Sequence, residues 1–246
     1  MRVHHGRAMT IYSSAMTSVT DIRPSIDPLP LQRAFDGLDV EGFYGADGAS
    51  AALKGCDLAV TGVTVSSNDC EPGWIFVAIP GLKQHGIRFA HAAIEAGASV
   101  ILTDEEGRVQ AHERGLGTPV VQVADPRGVV PALCANVYSC PSSRLTTMAV
   151  TGTNGKTTTS YLMRAAIASR FPQASLCGTV ETHVGPISFE AVRTTAEAPV
   201  IARFLAATEQ YSCGAGVIEL SAHALSLHRV DGIVFDVAAF TNLQHD

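Results

Sequence analysis

The run Met148-Ala-Val-Thr-Gly-Thr-Asn-Gly-Lys-Thr-Thr-Thr159 sets two glycines, a lysine and several hydroxyls between a β-rich stretch and a helix candidate. Those residue types in that order suit a phosphate cradle. Gly152 and Gly155 let the backbone turn and approach a ligand, so successive N–H groups and the helix N-terminus can face phosphate oxygens. Lys156 would reach the β- and γ-phosphates of a nucleotide as a compact cation, and the Thr157 hydroxyl would ligate the magnesium bridging them. The loop departs from the standard phosphate-binding pattern because Val150 holds the place of its first glycine, five residues before Gly155. An isolated Gly-Lys-Thr is more often a turn before a helix. Here strand, glycines, lysine and threonines coincide in the order that nucleotide binding requires.

Such a loop works only if a sheet aims it. From Val60 onward short β-branched runs alternate with helical stretches. Strands are expected over Val60 to Val65, Ile75 to Ile79, Val100 to Leu102 and Pro119 to Val123, with a helix carrying Phe89, Ala92, Ala93 and Ala96 and ending at Gly97. Asp125 caps a helix that starts at Pro126 and runs towards Tyr138. Ser139 to Arg144 reads as a linker. Beyond it come strand Leu145 to Val150, helix Thr157 to Arg170, strand Ala174 to Cys177 and a turn-rich stretch. Helix Pro199 to Gln210, strand Ala215 to Leu220, a short helical piece and strand Ile233 to Phe240 follow. Alternation of this kind predicts α/β architecture: a small N-terminal α/β domain over 51–143, then a P-loop-type, doubly wound, mostly parallel central domain over 144–246. Residues 1–50 read as a disordered leader, rich before Pro30 in Ser, Thr, Met, His and Pro.

The 246 residues, 46% hydrophobic and 16% charged, are enough to bury a sizeable core. No apolar run approaches the roughly 20 residues of a membrane span, and no export signal is evident. Six cysteines without zinc spacing, Cys56, Cys70, Cys134, Cys140, Cys177 and Cys213, read as reduced and mostly buried, which points to the cytoplasm. A net charge of -6 argues against nucleic acid or an anionic membrane as partner. An anionic small molecule held by local donors is compatible with it.

Thr151-Gly-Thr-Asn-Gly-Lys-Thr-Thr158 resembles the ATP loop of the Mur ligase family, which also includes folylpolyglutamate synthetases. Glu219-Leu-Ser-Ala-His-Ala-Leu225 is similar to that family's Glu-Val-Ser-Ser-His motif, and Phe240-Thr-Asn-Leu-Gln-His-Asp246 looks like the start of its Thr-Asn-Leu-x-x-Asp-His segment. Upstream, Gly62-Val-Thr-Val-Ser-Ser67, Gly73-Trp-Ile-Phe-Val-Ala78 and Gly81-Leu-Lys-Gln-His-Gly-Ile-Arg-Phe89 resemble the MurE type.

The resemblance implies that Thr151, Gly152, Thr153, Asn154, Gly155, Lys156, Thr157 and Thr158 bind ATP, and that Glu219 ligates a second magnesium. It implies that Ser67, Thr194, Thr195, Ser221 and Arg229 contact a UDP-muramoyl-dipeptide, where paired hydroxyls and an arginine suit pyrophosphate and carboxylate. His223 could orient a ligand or phosphate, and a structural role fits it equally; His85, His228 and Cys177 read as structural. The implied reaction activates the D-glutamyl carboxylate as an acyl phosphate and joins it to the amino group of diaminopimelate or lysine. Its partners are ATP, magnesium, UDP-MurNAc-dipeptide and an amino acid, and a monomer is expected. Ala222 stands where the family has a second serine, and Gln84-His85-Gly86-Ile87 replaces the commoner Asp-Gly-His. The sequence stops at Asp246, before the family's metal-binding histidine, carbamylated lysine and third domain, so a fragment inactive alone is expected. Two alternatives stand beside this: a non-catalytic binder of UDP-muramoyl-peptide or ATP, and a folylpolyglutamate synthetase-like ligase.

Overall fold

Residues 18–191 and 195–243 are described by the computed structural model. In the first half, strands β1 (Leu29–Pro30), β2 (Gly42–Tyr44), β3 (Ser50–Ala51), β4 (Ala59–Val60), β5 (Gly62–Thr64), β6 (Trp74–Val77), β7 (Val100–Thr103) and β8 (Val120–Gln122) are interleaved with four helices. These are α1 (Leu31–Ala34), α2 (Ala90–Glu95), α3 (Glu105–Glu113) and α4 (Pro126–Val137). A six-stranded sheet in the order β3-β2-β8-β7-β6-β5 results, parallel from β5 to β8, with β2 and β3 antiparallel at one edge. Alternate residues face opposite sides, as a strand's two-residue period demands. Ile75, Val77, Val100 and Leu102 pack with Leu31, Leu133 and Val137 from α1 and α4, whereas Phe76 and Ile101 pack with Ala90, Ala93 and Ala111 from α2 and α3.

The second half runs β9 (Thr146–Thr151), α5 (Lys156–Ile167), β10 (Ser175–Cys177), β11 (Glu181–Val184), β12 (Ile187–Glu190), α6 (Ala198–Gln210), β13 (Ala215–Glu219), α7 (Ala222–Ser226) and β14 (Val237–Phe240). Its sheet has the order β12-β11-β10-β13-β9-β14. The four strands β10, β13, β9 and β14 are parallel, and β11 and β12 add an antiparallel hairpin. Met148, Leu176 and Val217 meet Met163 and Ile167 of α5 on one face. Ala149, Cys177 and Ile218 meet Ile201, Phe204 and Leu205 of α6 on the other, so this sheet is wound on both sides.

Helix α6 also joins the halves. It is buried on nearly every side: Val200, Ile201, Phe204 and Leu205 enter the core of the second sheet, while Ala198 and Ala206 enter the core built on the first. A helix whose first turns read Ala198-Pro-Val-Ile-Ala offers apolar side chains to both cores.

Two expectations are corrected. Residues 18–50 are not a disordered leader. Ser18 caps a 3-10 turn, Val19–Asp21, through a capping box, Val19 and Ile22 are buried in the core of the second sheet, and Leu31, Ala34, Phe35 and Phe43 are buried in the first. The segment therefore straps the two halves together. Its apolar residues are too widely spaced among Pro, Asp and Ser to show periodicity. The last strand begins at Val237 rather than Ile233; ahead of it the backbone bond from Asp236 N to Thr147 O, at 2.9 Å, is joined by side-chain bonds, Thr147 N donating to Asp236 Oδ2 at 2.8 Å and Thr147 Oγ1 to Val234 O. The turn-rich stretch after Cys177 holds the β11–β12 hairpin, turned at Gly185 with φ 56°. Among the described residues no helix is long and apolar enough to cross a membrane.

Candidate functional site

The loop 152–155 leaves the C-terminal end of β9 and enters α5, at the edge where the parallel strands end and where ligands of open α/β sheets gather. Gly155, at the N-cap of α5, has φ 84°, and no side chain caps the helix. The helix start therefore presents amides and the positive end of its dipole to the cleft. Gly152 has φ 133°. The C-terminal end of β14 braces the loop: Thr153 N donates to Asn242 O at 3.1 Å, Asn154 N to Asn242 Oδ1 at 2.9 Å, and Thr241 Oγ1 to Asn154 O at 2.6 Å. Lys156 Nζ donates to Gly152 O at 2.7 Å and Thr153 O at 3.1 Å, so the ammonium rests over its own loop.

Glu219 ends β13 and is wholly buried. A buried carboxylate requires donors. Three hydroxyls supply them: Thr157 Oγ1 lies 3.0 Å and Thr179 Oγ1 2.8 Å from Oε2, and Ser160 Oγ lies 2.9 Å from Oε1. The loop threonine and the strand-end carboxylate thus share one point, and their all-oxygen character suits magnesium, which takes one or two carboxylates alongside phosphates and water. Among the described residues no group of three or more His, Cys, Asp or Glu could hold a metal, so phosphate oxygens and water would complete such a site. Ser160 and Thr179 were not singled out from sequence. The signal for Ser160 was its spacing three residues after Thr157, which puts both on one helix face.

Thr195, Ser221 and Arg229 form a second network beside the first. Thr195 Oγ1 donates to Glu219 O at 3.0 Å and accepts from Ser221 N at 2.9 Å. Ser221 caps α7, its Oγ accepting from Ala224 N at 3.1 Å. Arg229 pairs with Glu197 at 2.6 Å and donates to Thr195 O at 3.0 Å. These groups hold the turn entering α6 against the end of β13. Thr194 lies outside the described residues, as do the last three residues of the Phe240–Asp246 motif. His223 is exposed on α7. Ser67 opens the 3-10 turn Ser67–Asp69 of the first half; its neighbours Ser66 and Asn68 line a cleft of about 400 Å³ whose far wall is Ala196, Glu197, Pro199 and Val200. His85 is structural, as expected: its Nδ1 accepts from Ile87 N at 3.0 Å, and its Nε2 lies 2.9 Å from Asp104 Oδ1. Burial pushes the Cys177 thiol, beneath the site, up to about 11, with the Glu219 charge adding to it.

Comparison with known proteins matches residues 59–138 to the family described as Mur ligase family, catalytic domain, and residues 150–246 to the Mur ligase middle domain. The chain is 40% identical over 193 residues to a UDP-N-acetylmuramoyl-L-alanyl-D-glutamate--2,6-diaminopimelate ligase of Streptomyces avermitilis, an alignment covering 78% of this chain and 38% of the relative. It is 41% identical over 223 residues to a UDP-N-acetylmuramyl-tripeptide synthetase of Leifsonia xyli, covering 91% of this chain and 41% of the relative. The chain thus spans about two fifths of the length of the curated relatives it matches. A solved UDP-N-acetylmuramoyl-L-alanyl-D-glutamate--2,6-diaminopimelate ligase superposes with TM-score 0.60 at 26% identity, over 76% of this chain and 37% of that one. A MurF from Acinetobacter baumannii, TM-score 0.52 at 19% identity over 80% of this chain and 37% of that one, shares the fold.

Proposed function

The chain belongs to the Mur ligase family, and from that premise we propose that it carries the ATP-binding and muramoyl-binding portion of an ATP-dependent amide ligase of peptidoglycan synthesis. The substrate of the proposed reaction is UDP-MurNAc-L-Ala-D-Glu, and the name of the Streptomyces avermitilis relative supports diaminopimelate as the amino acid added. The observation that carries the proposal is the meeting of Thr157 and Glu219 at 3.0 Å beneath a glycine-framed loop.

In the proposed reaction the D-glutamyl carboxylate oxygen attacks the γ-phosphorus, the bond to the β-phosphate oxygen breaks and ADP leaves. The amine then attacks the acyl phosphate carbonyl, losing a proton as phosphate departs. Little covalent chemistry falls to the protein; positioning and charge neutralisation dominate. Amides from Gly155 onward receive phosphate oxygens, since Asn242 already engages those of Thr153 and Asn154. Lys156 swings from the loop carbonyls onto the β- and γ-phosphates. Thr157 and Glu219 would hold magnesium, which when bound neutralises charge on the phosphates. The cleft between Ser66–Asn68 and Ala196–Val200 receives the UDP-muramoyl portion, with Arg229 holding Glu197 of its wall and Thr195, bonded to Ser221 and Arg229, fixing the turn that enters that wall.

Calorimetric titration with Mg-ATP and with UDP-MurNAc-L-Ala-D-Glu tests this. The parent is expected to bind both, and Lys156→Ala to lose roughly a hundredfold in Mg-ATP affinity with its melting temperature unchanged, because a charge-assisted contact to phosphate goes while little packing does. Equal nucleotide affinity in mutant and parent defeats the proposal.

A further inference from the structure

Arg203, in the middle of α6, has no exposed surface. Its Nη2 donates to Asp69 Oδ2 at 2.7 Å, and Asp69 lies in the turn after β5, in the other half. The second carboxylate oxygen, Oδ1, accepts from Arg23 Nη2 at 2.9 Å, and Arg23 Nε donates to Glu71. Thr64 Oγ1 adds a bond to Asp69 Oδ2 at 3.1 Å. Both guanidinium carbons lie over the Trp74 ring, Arg203 at 4.9 Å and Arg23 at 5.0 Å from its centroid. Two cations and two carboxylates are thus balanced around one indole, in contact with three separate parts of the chain.

This arrangement costs stability. Among the described residues nothing accepts from Arg203 Nε and Nη1, both buried, and an apolar side chain filling that space would carry no such penalty. What the charges supply instead is register. A methylene contact slides, whereas a carboxylate gripped on both oxygens fixes distance and direction. The three parts so fixed are the walls of the 400 Å³ cleft: the strap, with Ser18, Thr20 and Arg23; the turn, with Ser66, Asn68 and Asp69; and the start of α6.

We propose that Arg23, Asp69 and Arg203 are positioning residues: they clamp the turn carrying Ser67 to α6 at a set separation, so the cleft is preset for a ligand that touches both halves. A preset cleft spares the ligand the cost of ordering its own walls. The choice of ligand rests on the reading given above, that this cleft receives the UDP-muramoyl-dipeptide.

Hydrogen exchange and calorimetry on the whole 246-residue chain test the clamp. Arg203→Met keeps an apolar stem and removes the charge. Exchange at Asp69 and Cys70, whose amides are bonded to Ser66 O and Ser67 O, is expected to accelerate by about tenfold while β9 and β13 stay protected. Affinity for UDP-MurNAc-L-Ala-D-Glu falls by about tenfold, affinity for Mg-ATP stays within about twofold, and Arg203→Lys restores most of the loss. Unchanged exchange in the turn overturns the proposal, and so does acceleration shared equally by β9 and β13 or a parallel loss of both ligands. If the parent itself takes up no UDP-muramoyl-dipeptide, the functional reading fails while exchange still decides the clamp. Should Arg203→Met not fold, Arg23→Gln, at a side chain 20% exposed, decides in its place: local acceleration supports the clamp, and none overturns it.

Discussion

Gly178 lies against the carboxylate of Glu219: a Cβ at Gly178 would stand 2.4 Å from Oε1 and 3.1 Å from Cδ. The atom it would strike is the tip of a side chain, so the backbone need not move. Glu219 is nevertheless buried and pinned by Thr157, Ser160 and Thr179, and its tip can yield only by leaving those hydroxyls. Gly178→Ala should therefore lose stability, because the displaced carboxylate leaves its donors, and lose about 10–100-fold in magnesium-dependent ATP affinity, the usual cost of misorienting a metal-binding carboxylate. Titration of nucleotide binding against magnesium reads this directly; a mutant with the parent's magnesium dependence contradicts the role given to Glu219.

Gly152 and Gly155 both adopt positive φ, but their surroundings differ. A Cβ at Gly152 would meet Thr241 Oγ1 at 2.1 Å and the backbone of Asn242 at 2.9 Å, whereas Gly155 has nothing nearer than 4.0 Å. Gly155→Ala is expected to cost about 1 kcal/mol, the left-handed penalty alone. Gly152→Ala should cost roughly 2–4 kcal/mol, because strain adds to a displaced β14 end. Thermal midpoints of the two variants check the order, which equal losses would contradict.

Glycines, lysine and threonines carry their chemistry in their types, so the loop 152–155 and its placement between β9 and α5 were legible from sequence. The alternation of β-branched and helical stretches likewise gave both wound sheets. Three things were hidden. Thr179 and Ser160 are ordinary hydroxyls until the fold brings β10 and α5 to the end of β13. Helix α3, where only Gly107 and Ala111 are buried, has too few apolar residues to show a period. The strap over residues 18–35 divides its buried side chains between two cores, and no single periodicity describes a segment that serves both.

That strap should be needed for stability. Val19 and Ile22 are 9% and 2% exposed, and burying side chains of this kind contributes about 1.5–3 kcal/mol each. Ser25 adds paired bonds with Gln210, at 3.1 and 2.7 Å. Deleting residues 1–27 is expected to lower unfolding free energy by on the order of 3 kcal/mol, discounting for apolar surface already buried in the unfolded chain. Urea denaturation measures it, and an unchanged midpoint would mean the strap does not pack in solution.

Cys177 makes folding stability depend on alkaline pH. Burial raises its thiol from 9.0 to about 11, Thr182 opposes that rise, and the Glu219 charge adds to it. The unfolded chain therefore releases this proton near pH 9, while the folded chain keeps it until about 11. Between those values deprotonation favours the unfolded state, so the stability due to the protonated thiol is fully present below pH 9 and is lost as pH climbs through 11. Cys70, pushed up by burial to about 11, acts in the same direction, and so do Cys134 and Tyr138. Cys177→Ala separates one contribution from the rest: it should be less stable than the parent at pH 8, where a buried sulfur is missing, and the gap should narrow steadily from pH 9 to 11. Parallel profiles of unfolding free energy against pH for the two proteins would show that the Cys177 thiol ionises as freely in the folded chain as in the unfolded one.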